Sequence, residues 1–406
     1  MQKFLREKIG DAGLILKESF FSFQRNNNFG KSAAFAYYGF FAFIPLILLV
    51  IYILGNYILS SQAAVRAVEG FTAQMFPEAG KVITKEITSL SRHKKLWGGL
   101  SIITLFWSIT PLAGALRDAF LRIFKEEDKA SFLKAKLLNA MAVLVLLVLF
   151  ITLVLSELFY SMVVKGLFRT SLLLDIVTPT VSLILILLFM CVFYYTFSPV
   201  RVKYSHLLAG ALVTAVLLAI IKPVFSLFLS FNPNYGVTFG SLKAIFIIFV
   251  WVYYSFAVIL LGGEVIANTR KKDALLLKRL FSRKSLPKST LDTIAGRFTR
   301  EYGEGDTVFH NGEPGDTMYY VLTGAVTMVK NGQTLKVMRH GEYFGEMSML
   351  LDAPRTATAV VAEHGTHLAV ISRDNFEVIL REEPGVVISI LKEMALRLKT
   401  TDENVG

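Results

Sequence analysis

Six runs without a single charged residue, all of them before Asn268, constrain this chain more than any other feature. They are Ser32 to Val65, Leu96 to Leu116, Leu137 to Ser156, Ile176 to Val200, Leu207 to Ile221, which continues past Lys222, and Ala244 to Gly263. A helix that crosses a bilayer needs about 20 mostly apolar residues, because the hydrocarbon core is about 30 Å thick and each residue adds about 1.5 Å. The runs predict an all-α, six-span transmembrane helical bundle over residues 32–269. Soluble proteins with apolar core helices do not repeat uncharged runs of this length. Residues 1–31 alternate charged and apolar side chains, unlike a cleavable signal peptide, and predict an amphipathic cytoplasmic segment lying on a membrane face.

Orientation follows from the loops. Six spans put both termini on one side, and that side collects 22 Lys and Arg, more than twice the number on the other. Positive loops stay inside, so both termini are expected in the cytoplasm. The first outer loop, residues 60–95, is the exception with six basic residues. Its Val65, Val68, Phe71, Thr72, Met75 and Phe76 recur at helical spacing and predict an amphipathic helix on the outer surface.

The net charge of +12 raises the question of nucleic acid. The basic residues sit at the ends of the apolar runs and in Arg270 to Lys288, where anionic lipid head groups attract them. No basic stripe interleaves with aromatics, so the expected partner is a lipid bilayer with anionic lipids, with no nucleic acid. The single cysteine, Cys191, lies inside an apolar run and has no partner within the chain. No zinc spacing is present, and neither a metal nor a cofactor is expected.

Within the bundle, ionisable and helix-breaking residues are the candidates for function, because hydrocarbon penalises them. Lys222 falls toward the outer end of the fifth span and reads as a snorkelling side chain or part of a polar cavity. Glu264 lies near the inner end of the sixth, too far in depth to pair with Lys222, and can cap the cytoplasmic end of the bundle. Pro45, Pro179, Pro199 and Pro223 permit broken helices of the kind transporters use around cavities, or harmless kinks. Tyr235 sits in Asn232-Pro233-Asn234-Tyr235-Gly236, too polar for lipid contact and hence an outer loop or re-entrant piece. Tyr37, Tyr38, Trp107, Tyr194, Tyr195, Trp251, Tyr253 and Tyr254 supply an interfacial aromatic belt.

After Arg270 the pattern changes. Residues 270–300 form a basic, helical linker with Leu275, Leu276, Leu280 and Phe281 on one face, broken at Leu286-Pro287 and resumed from Ser289 or Thr290 through Ile294 and Phe298. From residue 301 on, short β segments at Thr307–His310, Met318–Leu322, Ala325–Lys330, Thr334–Met338, Thr358–Ala362 and His367–Ser372 are separated by turn residues, as an antiparallel roll requires. Asn331-Gly332 is a strong hairpin signal. Helices are expected over Asp374–Glu382 and Val386–Thr400.

One stretch of this tail carries chemistry. Phe344-Gly345-Glu346 is followed nine residues after the glutamate by Arg355, in Pro354-Arg355-Thr356-Ala357-Thr358. A short helix starting near Gly345 would aim backbone N–H groups at an anion, and Arg355 offers a planar, permanently charged fork for phosphate oxygens. Glu346 can accept from a ribose hydroxyl but would repel a bare phosphate. The stretch resembles the phosphate-binding cassette of cyclic nucleotide-binding domains. Tyr302-Gly303-Glu304-Gly305-Asp306, Gly312-Glu313-Pro314-Gly315-Asp316 and Met318 to Gly324 resemble that family's glycine-punctuated strands. The resemblance implies an α+β domain with a β-roll and flanking helices over 301–406, binding cAMP or cGMP, with a slight lean to cAMP. It implies backbone donation from Gly345 and Met347, a ribose contact from Glu346, phosphate binding by Arg355 and the Ala357 N–H, and base contact at Thr356. Phe344, Ser348 and Thr358 complete the implied pocket. Cyclic nucleotides are made inside cells, which agrees with the charge-based orientation.

The membrane half carries a second resemblance. Ser32-Ala33-Ala34-Phe35-Ala36-Tyr37-Tyr38 with Phe43-Ile44-Pro45, Trp107-Ser108, Ala209-Gly210-Ala211, Tyr235-Gly236 with Phe239-Gly240-Ser241, and Leu261-Gly262-Gly263-Glu264 are similar to the YihY/virulence-factor BrkB family of bacterial inner-membrane proteins. That family has been labelled both a ribonuclease and a transporter. No acidic cluster for two metals and no His/Lys constellation supports ribonuclease chemistry here. The expectation is a non-enzymatic, multi-pass inner-membrane protein whose bundle, a transporter or permeation pathway, is regulated by a cyclic nucleotide. A non-transporting envelope scaffold with the same sensor is the alternative, and homo-oligomerisation stays open.

Overall fold

The structure, a computed structural model, describes residues 2–53, 94–127, 171–231, 243–281 and 288–382, with isolated helical positions between 134 and 148 and between 385 and 392. It divides into two compact units, Gly13–Arg270 and a second made of Met1–Ala12 with Lys271–Gly406.

The first unit is helical. Helices α1 (Gln2–Arg25, which begins in the other unit), α2 (Asn28–Ile53), α3 (Lys94–Phe124), α4 (Ser171–Phe197), α5 (Tyr204–Phe231) and α6 (Lys243–Arg270) are its described elements. Helices α2 to α6 cover five of the six uncharged runs. Of the third run, Leu137, Leu138, Met141, Val145 and Val148 are helical and the rest lies outside the described residues, as do the loop at 60–93 and the turn holding Tyr235. Among the described residues, two helical segments, Tyr204–Ile221 and Ile248–Arg270, are long and apolar enough to cross a membrane by length and composition.

Helix α5 packs with a mostly small inner face and a large outer one. Along α5 the exposed residues Leu208, Leu212, Val216, Ile220, Val224 and Leu227 repeat at helical spacing, while Leu207, Ala211, Thr214 and Ala215 are buried. Helix α4 shares the apolar outer face, with Ile184, Leu188, Val192 and Tyr195 outward, but its inner face is bulky, with Met190, Phe193, Tyr194 and Phe197 inward. The small inner face lets α5 approach α6 backbone to backbone: a Cβ added at Gly210 would stand 2.6 Å from the Gly262 carbonyl oxygen. At this crossing the Tyr194 hydroxyl donates to the Ile259 carbonyl at 2.7 Å and shares a hydrogen bond with Thr214 Oγ1 at 2.6 Å. Tyr194 is therefore a core residue and not part of an aromatic belt, whereas Tyr37, Trp107, Tyr195 and Tyr254 are exposed.

The prolines do not break the helices. Helix α2 runs through Pro45 and α5 through Pro223, because a proline removes one backbone hydrogen bond and the turns on either side persist. Pro199 follows the end of α4. Of the two readings these prolines permit, broken helices or harmless kinks, Pro45 and Pro223 go with unbroken helices.

The second unit opens with α7 (Lys272–Leu277), a 3₁₀ turn (Lys278–Phe281) and α8 (Lys288–Phe298). Strands follow: β1 (Thr299–Tyr302), β2 (Thr307–Phe309), β3 (Thr317–Thr323), β4 (Ala325–Lys330), β5 (Gln333–Arg339), β6 (Tyr343–Phe344), β7 (Thr358–Val361) and β8 (Thr366–Ser372), with α9 (Glu346–Leu351) before β7 and α10 (Arg373–Glu382) after β8. They make two four-stranded antiparallel sheets, ordered β1-β8-β3-β6 and β2-β7-β4-β5. Asn331 and Gly332 both have positive φ, 51° and 76°, the backbone that lets a two-residue turn follow the strand twist between β4 and β5.

Within the expected helical linker, Ala274, Leu277 and Leu280 enter one buried cluster with Ile294, Met318, Ile371, Phe376 and Ile379, so residues 271–281 are part of the core of the second unit. Helix α8 starts at Lys288, before the capping residues anticipated at Ser289 or Thr290, and β1 pairs with β8, taking the end of the linker into the sheet. The expected helix at Val386–Thr400 lies largely outside the described residues.

Candidate functional site

The candidate site of the second unit is built around β6, α9 and the segment before β7. Phe344 ends β6 with its ring buried and stacked on Tyr319, 5.3 Å between centroids. The chain then turns at Gly345, whose φ of 82° is a left-handed conformation that a side chain would strain, and a Cβ there would stand 2.7 Å from Arg355 Nη1. This places Glu346, 1% exposed, and Ser348 at the start of α9. Six residues make a short helix, so any anion held here depends on side chains and individual N–H groups more than on a macrodipole.

Arg355 arrives from the other side of the pocket. Its backbone is pinned by the loop between β2 and β3: the Arg355 N–H donates to the Glu313 carbonyl and the Gly312 N–H donates to the Arg355 carbonyl, each at 2.8 Å. Its side chain is 5% exposed and its guanidinium lies 4.3 Å from the centre of the Phe309 ring, a cation–π distance. Nη1 donates to the Gly345 carbonyl and to Ser348 Oγ, both at 2.7 Å. Nη2 donates to the Thr317 carbonyl at 2.7 Å and to Thr317 Oγ1 at 3.2 Å. Nε is buried with no hydrogen-bond partner among the described residues. Burial pulls the guanidinium below the usual arginine range, opposed by Tyr319, Asp316, Glu313 and Glu346.

The structure thus brings Phe344, Gly345, Glu346, Ser348 and Arg355 together. Met347 is half-buried, Ala357 is buried, and Thr356 is exposed at the rim, where a base could meet it. Thr358 Oγ1 accepts from the Asn311 N–H at 3.0 Å, which spends this hydroxyl on the fold. Three residues that the sequence reading passed over surround Arg355: Phe309, Gly315 and Thr317. A Cβ at Gly315 would overlap the guanidinium. The available signal was Gly315, read as part of a glycine-punctuated strand motif and given no role at the site.

The arrangement can serve an oxygen-rich anion. A positive group with one buried unpartnered N–H beside an acidic residue fits a ligand that carries both phosphate oxygens and hydroxyls, and a cyclic nucleotide carries both.

In the helical unit, Glu264 is 1% exposed and accepts hydrogen bonds at Oε1 from Asn26 Nδ2 at 2.7 Å and Asn28 Nδ2 at 2.8 Å. Four residues on, Asn268 donates to Ser19 Oγ at 3.2 Å. Glu264 is thus a joint between α6 and the α1–α2 turn, more than a cap at one helix end. Lys31 reaches Asn28 Oδ1 at 3.2 Å; burial, then the like charge of Arg122, pulls it below the usual lysine range, against the attraction of Glu264. Pro45 is half-buried within α2, Lys222 lies in α5 with its side chain outside the described set, and Tyr235 lies outside the described residues.

Compared with known proteins, residues 19–280 match the family Virulence factor BrkB, and residues 299–383 match the Cyclic nucleotide-binding domain. The chain is 34% identical over 108 residues to the Cyclic AMP receptor protein of Thermus thermophilus, covering 25% of this chain and 50% of that protein. It is 29% identical over 148 residues to the cGMP-dependent protein kinase of Toxoplasma gondii, covering 36% of this chain and 14% of the kinase. The match thus spans half or less of the length of these relatives. Among solved structures, the Thermus thermophilus Catabolite Activator Protein is similar at 31% identity over 31% of this chain and 61% of that one, with a TM-score of 0.27.

Proposed function

From the premise that this chain belongs to the Virulence factor BrkB family and ends in a cyclic nucleotide-binding domain, we propose that it is a multi-pass protein of the bacterial inner membrane whose cytoplasmic tail binds a cyclic nucleotide and so regulates the bundle. Both termini face the cytoplasm. The bundle is a transport or permeation pathway for a small solute or lipid, with no catalytic step of its own, and cAMP binds ahead of cGMP. Arg355 takes the ring phosphate, Glu346 a ribose hydroxyl, Gly345, Met347 and Ala357 donate backbone N–H groups, and Thr356 meets the base.

The observation that carries this reading is the convergence of Arg355, Gly345, Glu346 and Ser348 in one buried cluster with an N–H to spare. The outward apolar stripe of α5 supports the membrane assignment, since water would oppose exposing six large apolar side chains in line. A ligand shifts an equilibrium only through different affinity for its two states; a tenfold preference is about 1.4 kcal/mol.

The test is calorimetry on the purified full-length protein in lipid nanodiscs, titrated with cAMP and with cGMP beside Arg355→Ala. Saturable heat, tighter for cAMP and lost in the variant by about 100-fold or more, is the expected result. No heat from either nucleotide overturns the sensor reading. Flux through reconstituted vesicles then addresses transport.

One observation favours the scaffold alternative. A groove of about 350 Å³ in the helical unit is lined by Ala33, Ala36, Phe249, Val250, Tyr253 and Tyr254, with no charged side chain to receive a polar solute, which leaves a lipid as cargo or no pathway at all. Nucleotide binding with no flux for any tested solute class would select it.

A further inference from the structure

Arginine has five N–H donors, and the conformation of Arg355 leaves one of them. Its two Nη1 hydrogens go to Gly345 O and Ser348 Oγ, and its two Nη2 hydrogens go to Thr317 O and Thr317 Oγ1. Only Nε–H is unpartnered, on a side chain 5% exposed. Phosphate is held best by two parallel N–H groups, and the edge of a guanidinium that includes Nε is completed by Nη2. Nη2 is the nitrogen that Thr317 holds.

We propose that Thr317 is an intramolecular latch on Arg355, occupying the guanidinium edge that the ring phosphate of a cyclic nucleotide must take, so that ligand and Thr317 compete. This rests on the nucleotide-binding reading above and adds a residue to it. Two further contacts give the latch somewhere to report. Asp316, the neighbour of Thr317, accepts at its carbonyl from the Arg373 N–H at 2.9 Å, and Arg373 is the first residue of α10. Phe376 and Ile379 of α10 share a buried cluster with Ala274 and Leu277 of α7, the segment that follows α6 directly in the chain. Release of Nη2 from Thr317 therefore frees the start of β3 at a point tied by one hydrogen bond to the helix packed against α7.

Competition and support predict opposite signs. If Thr317 merely props Arg355 in a binding-ready pose, removing its hydroxyl weakens nucleotide binding. As a latch its removal strengthens binding, because a charged buried N–H loses one acceptor and the phosphate then supplies it. Thr317→Val keeps the shape and deletes Oγ1, and Thr317→Ser keeps the hydroxyl. The measurement is cAMP titration of full-length wild type and both variants in nanodiscs, with thermal unfolding to show that each variant is folded. Thr317→Val is expected to bind roughly tenfold more tightly, with Thr317→Ser close to wild type. Heat from wild type with equal or weaker binding by Thr317→Val overturns the latch and leaves the sensor reading intact. Heat from neither chain overturns both.

Discussion

The helical unit buries Glu264 and the β-roll buries Arg355, and the two regions satisfy these charges with different groups. Glu264 receives side-chain amides from Asn26 and Asn28, residues 238 and 236 positions away in the chain. Arg355 gives its hydrogens to two carbonyls and two hydroxyl oxygens, 7 to 38 positions away. Two side-chain amides converge on one oxygen of the buried Glu264 carboxyl, so this contact behaves as a fastener. Carbonyl and hydroxyl acceptors around a cation are replaceable by any other oxygen, so the Arg355 contact behaves as a socket. The same chemistry, a charge with several hydrogen bonds, is structural in one region and exchangeable in the other.

The largest expected effect tests the fastener. Glu264→Ala leaves the buried Asn28 amide and the partly buried Asn26 amide without this acceptor and should cost the helical unit about 2–4 kcal/mol, read as thermal unfolding in detergent. Glu264→Gln, which keeps one oxygen, should cost less. Equal melting of wild type and Glu264→Ala would break the comparison from the bundle's side.

Two glycines sharpen it further. Alanine at Gly262 would collide with Thr214 Oγ1 and the Tyr194 hydroxyl at the α5–α6 crossing, with the Gly210 carbonyl only 3.0 Å away. Overpacking of this kind typically costs about 1–3 kcal/mol, so Gly262→Ala should lower the melting temperature. Alanine at Gly315 collides with the end of the flexible Arg355 side chain, which can swing aside. Gly315→Ala should therefore melt within about 1 kcal/mol of wild type while binding cyclic nucleotide at least tenfold more weakly. If Gly315→Ala instead unfolds and Gly262→Ala does not, socket and fastener have been assigned the wrong way round.

The smallest effect belongs to an outlying contact of the sensor unit. Arg297 of α8 pairs with Asp11 of α1 at 2.7 Å, both side chains partly exposed. Such pairs are worth about 0–1 kcal/mol and are screened by salt. Asp11→Asn should shift the sensor's melting slightly at low ionic strength and not at about 1 M salt.

Much of the fold was legible because its signals are local. Uncharged runs of spanning length marked α2 to α6, and Asn331-Gly332 marked the β4–β5 turn because both residues tolerate positive φ. The strands β2 to β5, β7 and β8 declared themselves through β-branched and aromatic residues between turn residues. What escaped notice was either short or doubly coded. Tyr343–Phe344 is too brief to read as a strand, and Thr299–Tyr302 follows directly on a helix. In 271–281 the basic residues suggested lipid while Ala274, Leu277 and Leu280 were already committed to the sensor core. Tyr194 looked like a belt residue because nothing in its neighbourhood announces Thr214 or Ile259 as its hydrogen-bond partners.

By itself the sequence determined that the chain joins an apolar helical domain to a roll carrying Gly345, Glu346 and Arg355 in order, since periodicity, turn preference and motif spacing act over a few residues. Only the tertiary structure decided that Asn26 and Asn28 meet Glu264, and that Thr317 and Gly345 hold Arg355 while Nε is left over. Hydrogen-bond satisfaction in a closed interior is settled by which groups folding brings within about 3 Å, and chain distance says little about that.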